Sequence, residues 1–179
     1  MKPQIEIEIK ALLKDKTAMK KRLLSLGARF IGRKQQIDYY FSPPHKSLVG
    51  KGLYFRIRHD KLSGKSRMEY HAAKIKERYV GEEYEMEIND HKMALKILDL
   101  LEFKPEVTID KVRDTYKLGN VTIDLDRVVH LGDFIEIEIL NQQVKKAEEK
   151  ILKMAKKLGL SEKDFSTKNY FNLLYPTSS

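Results

Sequence analysis

The sequence repeats one short pattern that strongly restricts how the chain can fold. Glutamate alternates with an apolar residue as Glu-Ile-Glu-Ile at residues 6–9 and 136–139, and as Glu-Met-Glu-Ile at residues 85–88. Strict alternation is typical of β-strands, because successive side chains of a strand point to opposite faces. Each of these strands therefore has an apolar face that packs on a core and a charged face that must meet water or other charges.

A helical pattern follows each copy of the alternating strand. Capping residues predict that the first helix begins near residue 15 or 17 and the second near residue 89 or 90, and Gly27 and Gly159 are suited to end the first and third helices. The spacing of apolar residues predicts these inward-facing side chains: Met19, Leu23 and Leu26; Ala94, Leu98 and Leu101; Val144, Ala147, Ile151, Met154 and Leu158.

Further strands are predicted at residues 37–41, 53–59, 67–73, 106–118 and 120–126. The short connection at Gly119 and Asn120 favours a hairpin, and loops are expected at residues 42–52 and 60–66. About eight strands and three helices indicate an α+β fold with a largely antiparallel sheet. Nothing resembles an interdomain linker, so residues 1–179 are expected to form a single domain.

The charged strand faces carry opposite signs in different parts of the chain. Glu6, Glu8 and Lys10 share one face, and alternation gives the same arrangement to acidic and basic pairs elsewhere. Two carboxylates about 7 Å apart on one strand face repel by about 2.4 kcal/mol at an effective dielectric near 20. A sheet with one solvated face would explain any single strand. Several such strands are better explained if cations sit among the carboxylates.

The residue types on these faces indicate what those cations and their partner would be. The chain has no cysteine, and none of its five histidines is spaced as a metal ligand, so oxygen-rich acidic clusters suit Mg²⁺ or Mn²⁺ better than zinc. Arginine and lysine side chains bind phosphate oxygens, and carboxylate-held metal opposite basic residues is a general arrangement for polyphosphates. The basic residues on these faces are Lys10, Arg56, Arg58, Lys111 and Arg113.

The net charge of +9 is divided into opposed blocks. Residues 11–36 and 46–78 each carry +7, whereas residues 82–110 carry −6. This mosaic argues against nucleic acid as the partner, because duplex binding favours one continuous basic face. No apolar run is long enough for a membrane span and no signal peptide is recognisable, so a cytoplasmic protein is expected. A homodimer remains open as an alternative to a monomer.

Several motifs, in order along the chain, resemble those of the CYTH superfamily, the triphosphate tunnel metalloenzymes that include class IV adenylyl cyclases and thiamine triphosphatases. The N-terminal Glu-x-Glu-x-Lys at residues 6–10 resembles the motif that defines the family. The resemblance continues through residues 38–41 (Asp-Tyr-Tyr-Phe), 56–58, 83–87, 111–113, 121–126 and 132–138. Residues 170–174 are similar to the C-terminal segment of the bacterial cyclases.

The resemblance implies an eight-stranded antiparallel β-barrel, open as a tunnel, with charged faces inside and amphipathic helices packed outside. It implies that Glu6, Glu8 and Lys10 have catalytic roles. Asp124 also points to the charged face by alternation, but Asp126 better matches the family's acid. The implied metal ligands are Glu6, Glu8, Asp126, Glu136 and Glu138. The implied substrate-binding residues are Lys10, Arg56, Arg58, Lys74, Glu85, Glu87, Lys111 and Arg113.

Two positions depart from the family pattern. His71 stands where relatives usually carry a lysine, and Lys74 could replace that lysine only if the strand bulges or ends nearby. Gly81 stands where some relatives have a basic residue. These departures bear on the substrate and on activity more than on the fold.

The resemblance favours a Mg²⁺- or Mn²⁺-dependent enzyme of the cyclase-like branch, which would convert ATP to cyclic AMP and pyrophosphate. The first alternative is a triphosphatase acting on thiamine triphosphate, inorganic tripolyphosphate or a nucleoside triphosphate. A second alternative is a module that binds a triphosphate without turnover, and a nucleic-acid binder using the basic helices is weaker still.

Overall fold

The computed structural model describes residues 4–48, 52–73, 80–140, 143–166 and 168–174. Eight long strands dominate the chain. They are β1 (Gln4–Leu13), β2 (Arg29–Ser42), β3 (Leu53–Asp60), β4 (Ser66–Ala73), β5 (Val80–Ile88), β6 (Lys104–Leu118), β7 (Val121–Val128) and β8 (Gly132–Leu140). A short strand, β9 (Phe165–Ser166), pairs with β1 at Lys10 and Ala11.

The eight long strands close into an antiparallel barrel. Neighbours run in the order β5, β4, β3, β2, β6, β7, β8, β1, and β1 then pairs with β5. The closing pair places Glu6 opposite Gly81 and Ile7 opposite Val80. Closure removes the unpaired edges of a sheet and separates an inner from an outer face. The predicted α+β class and eight-stranded barrel are confirmed.

Three helices pack outside the barrel, and a fourth, which is the last helix of the described chain, lies at one end of the barrel. They are α1 (Lys16–Ser25), α2 (His91–Leu100), α3 (Val144–Lys157) and α4 (Tyr170–Leu174). Asp15 and Asp90 cap the first two, each accepting a hydrogen bond from a backbone N–H three residues on. No helix among the described residues is long and apolar enough to cross a membrane.

The outer apolar strand faces form the main core with α1 and α3. Ile7, Ile123 and Ile137 are fully buried there, together with Leu23 of α1 and Ile151 of α3. This core confirms the predicted apolar outer face and charged inner face for β1, β7 and β8. The prediction was wrong for β5, where Tyr84 and Met86 are exposed because no helix of the main core covers them.

Two helix predictions were wrong at their last residue. Leu26 is 38% exposed and Leu101 is 58% exposed, although both were predicted to face inward. Each is the residue that follows the last helical turn, so it no longer continues the apolar stripe of its helix. Strand β2 is also longer than predicted, beginning at Arg29 rather than near residue 37, because its polar first half is held by pairing with β6.

The inner face changes character along the barrel axis. On β6 the inward row runs from Arg113 and Lys111 to Ile109, and on β8 it runs from Glu136 to Phe134. The apolar end is filled by α4, because Tyr170 and Phe171 pack on Tyr40, Ile109, Val128 and Phe134. The charged cavity therefore lies between this aromatic plug and the other end of the barrel, which we call the mouth.

Candidate active site

The barrel interior contains a cavity of about 240 Å³ lined mainly by charged side chains. Because the inner strand faces supply them, residues far apart in sequence meet there. The charged lining residues are Glu6, Glu8, Lys10, Lys34, Arg56, Arg58, Arg67, Glu69, Glu83, Glu85, Lys111, Arg113, Asp124, Glu136 and Glu138. The structure thus brings together ten of the residues predicted from the sequence, in the barrel interior and facing one another.

Arg56 and Arg58 on β3 are held in place by a buried carboxylate on the neighbouring strand. Asp38 is fully buried and accepts hydrogen bonds from Nε and Nη2 of Arg58 at 2.7 and 2.8 Å. Burial alone would raise the pKa of Asp38, but Arg58, Lys111 and Arg56 outweigh it and hold that pKa well below its usual range. Asp38 therefore remains ionised and fixes the orientation of the two guanidinium groups.

Glu69 on β4 performs the same function from the other side of β3. It is 1% exposed, and its carboxylate accepts a hydrogen bond from Nε of Arg56 at 2.5 Å. Burial opposes its ionisation, yet Arg56 and Arg58 lower its pKa to about 2. Both arginines are therefore directed before any ligand binds.

Arg113 on β6 forms a second fixed cluster. Its Nε and Nη2 atoms donate to Asp126 at 2.7 and 2.5 Å, and its Nη2 atom also contacts Glu136. The hydroxyl of Tyr170 donates at 2.9 Å to Oδ2 of Asp126, which also accepts from Nη2 of Arg113, so the plug helix is joined directly to this cluster. Burial would raise the pKa of Glu136, but Arg113 and Lys10 hold it well below its usual range.

The two cavity lysines differ in how firmly they hold a proton. Lys10 lies 3.1 Å from Glu136 and 3.4 Å from Glu8, and these acids raise its pKa although burial alone would lower it. Lys111 is 1% exposed, and burial with the nearby charges of Arg113 and Arg58 lowers its pKa to about 8. Lys10 is therefore a permanent cation, whereas Lys111 titrates near neutral pH.

A third group consists of acids that crowd one another, and of its three members Glu6, Glu8 and Glu138 only Glu8 has a cationic neighbour among the described residues, Lys10 at 3.4 Å. Glu8 on β1 stands directly opposite Glu138 on β8, a cross-strand pairing of like charges that destabilises a sheet. Within the described chain, neither Glu6 nor Glu138 forms an ion pair or hydrogen bond. Burial first, and then repulsion by Glu8 and Asp124, raises the pKa of Glu138 to about 7. Burial and the charges of Glu8 and Glu138 raise the pKa of Glu6 well above its usual range.

These crowded acids fit a hard divalent cation in the kind of donor they offer. Glu6, Glu8 and Glu138 supply only carboxylate oxygens, which Mg²⁺ and Mn²⁺ prefer. A bound cation would also remove the repulsion that raises their pKa values. Across the described residues, no three acidic or histidine side chains converge closely enough to hold an ion. The carboxylates would therefore rotate toward a metal rather than meet it in a rigid site.

Three predicted site residues do not line this cavity. Asp126 lies beneath it, completely buried against Arg113, Lys111 and Tyr170, while Asp124 lines it. Glu87 is exposed and lies at the mouth. Lys74 lies outside the described residues. Asp126 is thus held as a counterion to the basic residues, and Asp124 is the β7 acid that faces the cavity.

His71 and Gly81, the two departures from the family pattern, fit each other in space. The His71 ring stacks on Tyr54 with a centroid distance of 4.6 Å and covers Gly81 on β5. A side chain at residue 81 would overlap this ring, since its Cβ would lie 2.8 Å from Cε1 of His71 and closer to Nε2. Burial and the charges of Arg56 and Lys10 lower the pKa of His71 to about 4, so a neutral ring occupies this part of the barrel.

Lys34, Arg67, Glu69 and Glu83 line the cavity, and Asp38 is buried beside it against Arg58; none of the five was assigned a role from the sequence. Asp38 and Glu83 stand inside recognised motifs, so their positions were visible but their function as partners of arginine was not. Glu69 could have been found by alternation, because it is two residues from Arg67 on a strand opposite Arg56. Lys34 lies on the part of β2 that the sequence did not predict as strand.

The chain is therefore a closed antiparallel barrel with a charged interior, and sequence comparison gives the family. Residues 4–170 match the CYTH domain. The chain belongs to the CYTH domain family, which confirms the resemblance noted in the sequence.

Three similar proteins cover nearly the whole chain. A candidate adenylate cyclase of Methanocaldococcus jannaschii is 32% identical over 174 residues, spanning 94% of this chain and 98% of that protein. Adenylate cyclase CyaB of Aeromonas hydrophila is 27% identical over 174 residues, spanning 95% and 88%. The solved structure of the PH1012 protein of Pyrococcus horikoshii OT3 has a TM-score of 0.86 and 32% identity, with 94% and 98% covered.

Proposed function

We propose that this protein is a divalent-metal-dependent enzyme that cleaves a phosphoanhydride bond of a triphosphate held inside the barrel. The observation that carries the proposal is the combination of oriented cations and unpaired acids in one cavity. Fixed cations are suited to phosphate oxygens, and crowded carboxylates are suited to a metal ion. Family membership supports the same conclusion, since CYTH proteins include adenylyl cyclase-like enzymes and triphosphatases.

The basic residues bind and align the phosphates in this proposal. Arg56 and Arg58 keep their orientation because Asp38 and Glu69 hold them, so little side-chain entropy is lost when phosphate arrives. Lys10 and Arg113 add charge from the opposite side of the barrel and stabilise negative charge that develops on the leaving phosphate. Lys111, whose pKa is about 8, would be held fully protonated when phosphate binds beside it.

Glu6, Glu8 and Glu138 would hold the metal, whereas Asp124 faces the same cavity but is paired with Nη1 of Arg113 at 2.8 Å. The ion would neutralise phosphate charge and lower the pKa of the attacking hydroxyl or water. Glu136 and Asp126, assigned to the metal by family resemblance, are instead expected to keep Arg113 in position.

The cavity favours hydrolysis over cyclisation. Its aromatic lining residues, Tyr40, Tyr54 and Tyr170, lie toward the plugged end, and no aromatic side chain of the described residues lines the mouth. An adenine at the mouth would therefore lack a stacking partner. Cyclase activity is the second candidate because the relatives from M. jannaschii and A. hydrophila carry that name.

The test is incubation with ATP, thiamine triphosphate and inorganic tripolyphosphate, each with Mg²⁺ or Mn²⁺, followed by chromatographic separation of products. Hydrolysis predicts orthophosphate. Cyclic AMP with pyrophosphate would support the second candidate. Tight binding without any product would contradict both reactions and leave a binding module. Glu6→Gln is the inactive control, and Lys21→Gln, an exposed change on α1, controls for loss of a positive charge.

A further inference from the structure

A row of ring side chains runs along one side of the barrel interior and ends on the plug helix. His71 on β4 stands directly opposite Tyr54 on β3, and their rings stack with centroids 4.6 Å apart and planes 7° apart. Tyr54 makes an edge-to-face contact with Tyr40 at 5.6 Å, and Tyr40 stacks on Phe171 of α4 at 5.6 Å. Tyr40 and Tyr54 line the charged cavity, whereas His71 is not among its lining residues. His71 therefore supports the lining rather than forming part of it.

This row contacts Arg56, one of the two arginines assigned to phosphate. Cζ of Arg56 lies 4.8 Å from the centroid of the Tyr54 ring, and its Nη1 atom donates to the Tyr40 hydroxyl at 3.0 Å. A guanidinium group over an aromatic ring is attracted by the negative face of that ring. Glu69 and the Tyr40 hydroxyl accept hydrogen bonds at the edge of the guanidinium group, and Tyr54 adds a contact that these hydrogen bonds do not supply.

The contacts of His71 indicate that its ring face is what matters. Its Nδ1 atom is buried and has no hydrogen-bond partner among the described residues, an arrangement that costs stability. Burial first, and then the charges of Arg56 and Lys10, lower the pKa of His71 to about 4, so the ring carries no charge at neutral pH. Stacking on Tyr54 is therefore the favourable interaction that the structure gives this side chain.

Gly81 makes the position of Tyr54 depend on His71. The His71 ring occupies the space that a side chain at residue 81 would fill. Because glycine has no side chain to take its place, removal of the ring would leave a gap beside Tyr54. Resting on the proposed function, we propose that His71 is a positioning residue, whose ring holds Tyr54 against Arg56 and so keeps this guanidinium group oriented toward phosphate.

The test compares His71→Phe, which keeps an aromatic ring, with His71→Leu, which fills a similar volume without one. The values of kcat and KM for tripolyphosphate are measured with Mn²⁺, at a temperature where thermal unfolding shows each variant to be folded. His71→Phe should match wild type within about twofold, because the stacking contact is retained. His71→Leu should raise KM about tenfold with little change in kcat, because Arg56 would be displaced from phosphate before and during the reaction alike.

A double-mutant cycle tests whether His71 acts through Arg56. Arg56→Lys alone should raise KM by more than His71→Leu does, since lysine lacks the planar fork. Adding His71→Leu to Arg56→Lys should change KM by less than about twofold, because the interaction that His71 supports is already lost. His59→Leu is the matched control. It removes a histidine ring that stacks outside the barrel, on His91 of α2 at 3.9 Å, and it should leave KM and kcat unchanged.

The outcomes separate this inference from the proposed function. An unchanged KM in His71→Leu would overturn the positioning role, and so would a rise in KM in His71→Phe as large as that in His71→Leu, because a ring nitrogen would then act on the substrate. Effects of His71→Leu and Arg56→Lys that multiply in the double variant would show two independent residues and contradict it equally.

Absence of turnover in wild type would contradict the proposed function alone. The dissociation constants of tripolyphosphate, measured by calorimetry with Ca²⁺ in place of Mn²⁺, should then show the same pattern across the variants. Failure of tripolyphosphate to bind wild type would overturn the inference and the proposed function together.

Discussion

Glu136 and Glu138 lie two residues apart on β8 and line the same cavity, yet their environments are opposite. Glu136 stands across from Lys10 and contacts Arg113, which together hold its pKa well below its usual range. Glu138 stands across from Glu8 on one side and Thr122 on the other, and its pKa is raised to about 7. The register between β8 and β1 therefore gives Glu136 a basic partner and leaves Glu138 without one.

The acids of this barrel fall into two groups. Asp38, Glu69, Asp126 and Glu136 neutralise and orient the basic residues, and removing one leaves a buried cation unpaired. Glu6, Glu8 and Glu138 repel one another, a cost that a fold does not need for its own stability. In the proposed function a bound cation would remove this repulsion.

The largest effect is expected when an acid that pairs with basic residues is removed. Glu136→Gln should lower the free energy of unfolding of the metal-free protein by about 2–4 kcal/mol, because Arg113 and Lys10 lose a buried counterion. Urea unfolding measures this. Glu138→Gln is the matched control on the same strand, and it should leave the metal-free stability unchanged or higher. Equal destabilisation of the two variants would refute the distinction.

The next effect concerns activity. Glu138→Gln should reduce metal-dependent turnover of tripolyphosphate at least about 100-fold and abolish the rise in melting temperature on adding Mn²⁺, since a ligand oxygen and its charge are lost. Thermal unfolding with and without Mn²⁺ measures the second property separately from catalysis. A variant that Mn²⁺ still stabilises as strongly as wild type would place the metal elsewhere.

A smaller effect is expected at Gly81, which lies under the neutral ring of His71. Gly81→Ala should cost about 1–2 kcal/mol, because its Cβ would overlap the His71 ring that stacks on Tyr54. The double variant Gly81→Ala/His71→Ala should recover part of this loss, measured by urea unfolding. If the double variant were less stable than the sum of the single changes, the two residues would not form the complementary pair described above.

The smallest effect is on pH dependence. An acid whose pKa is raised on folding stabilises the protein below its unfolded pKa, near 4.5, and that stabilisation is lost as pH rises through about 7. The metal-free protein should therefore lose about 1 kcal/mol from Glu138 between pH 5 and 8, with solvent screening limiting the effect. The difference in stability between wild type and Glu138→Gln isolates this contribution. A difference that does not change with pH would contradict the raised pKa.

The acids that pair with basic residues should make stability depend on pH in the opposite direction. Glu69 has a lowered pKa of about 2, so its contribution is complete above its unfolded pKa and is lost as pH falls toward 2. A Glu69→Gln variant should therefore be less stable than wild type at neutral pH. Its free energy of unfolding should fall less steeply than that of wild type as the pH drops below 4.

Much of the fold could be predicted from the sequence because the two-residue alternation is strict. Ile7 and Ile137 point outward into the core as predicted, and Asp15 caps the first helix at a predicted start. Strand β2 was predicted too short because its first half is polar and depends on pairing with β6, a long-range interaction that local patterns do not record. Residues 170–174 were recognised as a motif, but their packing as a plug depends on long-range contacts with Tyr40, Ile109 and Phe134 that local patterns do not record.

The sequence could predict most of the residues of the site. It could not predict which of the acids pair with basic residues and which do not. Alternation placed Glu136 and Glu138 on one face, but only the register with β1 shows that one faces Lys10 and the other Glu8. Likewise, Asp126 matched the family's acid, yet the distance to Arg113 reveals it as a buried partner. Cross-strand register is set by the whole barrel, so the sequence of one strand does not contain it.

The most direct test of the central claim is an anomalous difference map from crystals soaked with MnCl₂ and tripolyphosphate. The claim predicts a Mn²⁺ peak among the carboxylates of Glu6, Glu8 and Glu138, with phosphate oxygens contacting Arg56 and Arg58. A Mn²⁺ peak beside Glu136 and Asp126 with Arg113 displaced, or phosphate bound with no Mn²⁺ near Glu138, would contradict it.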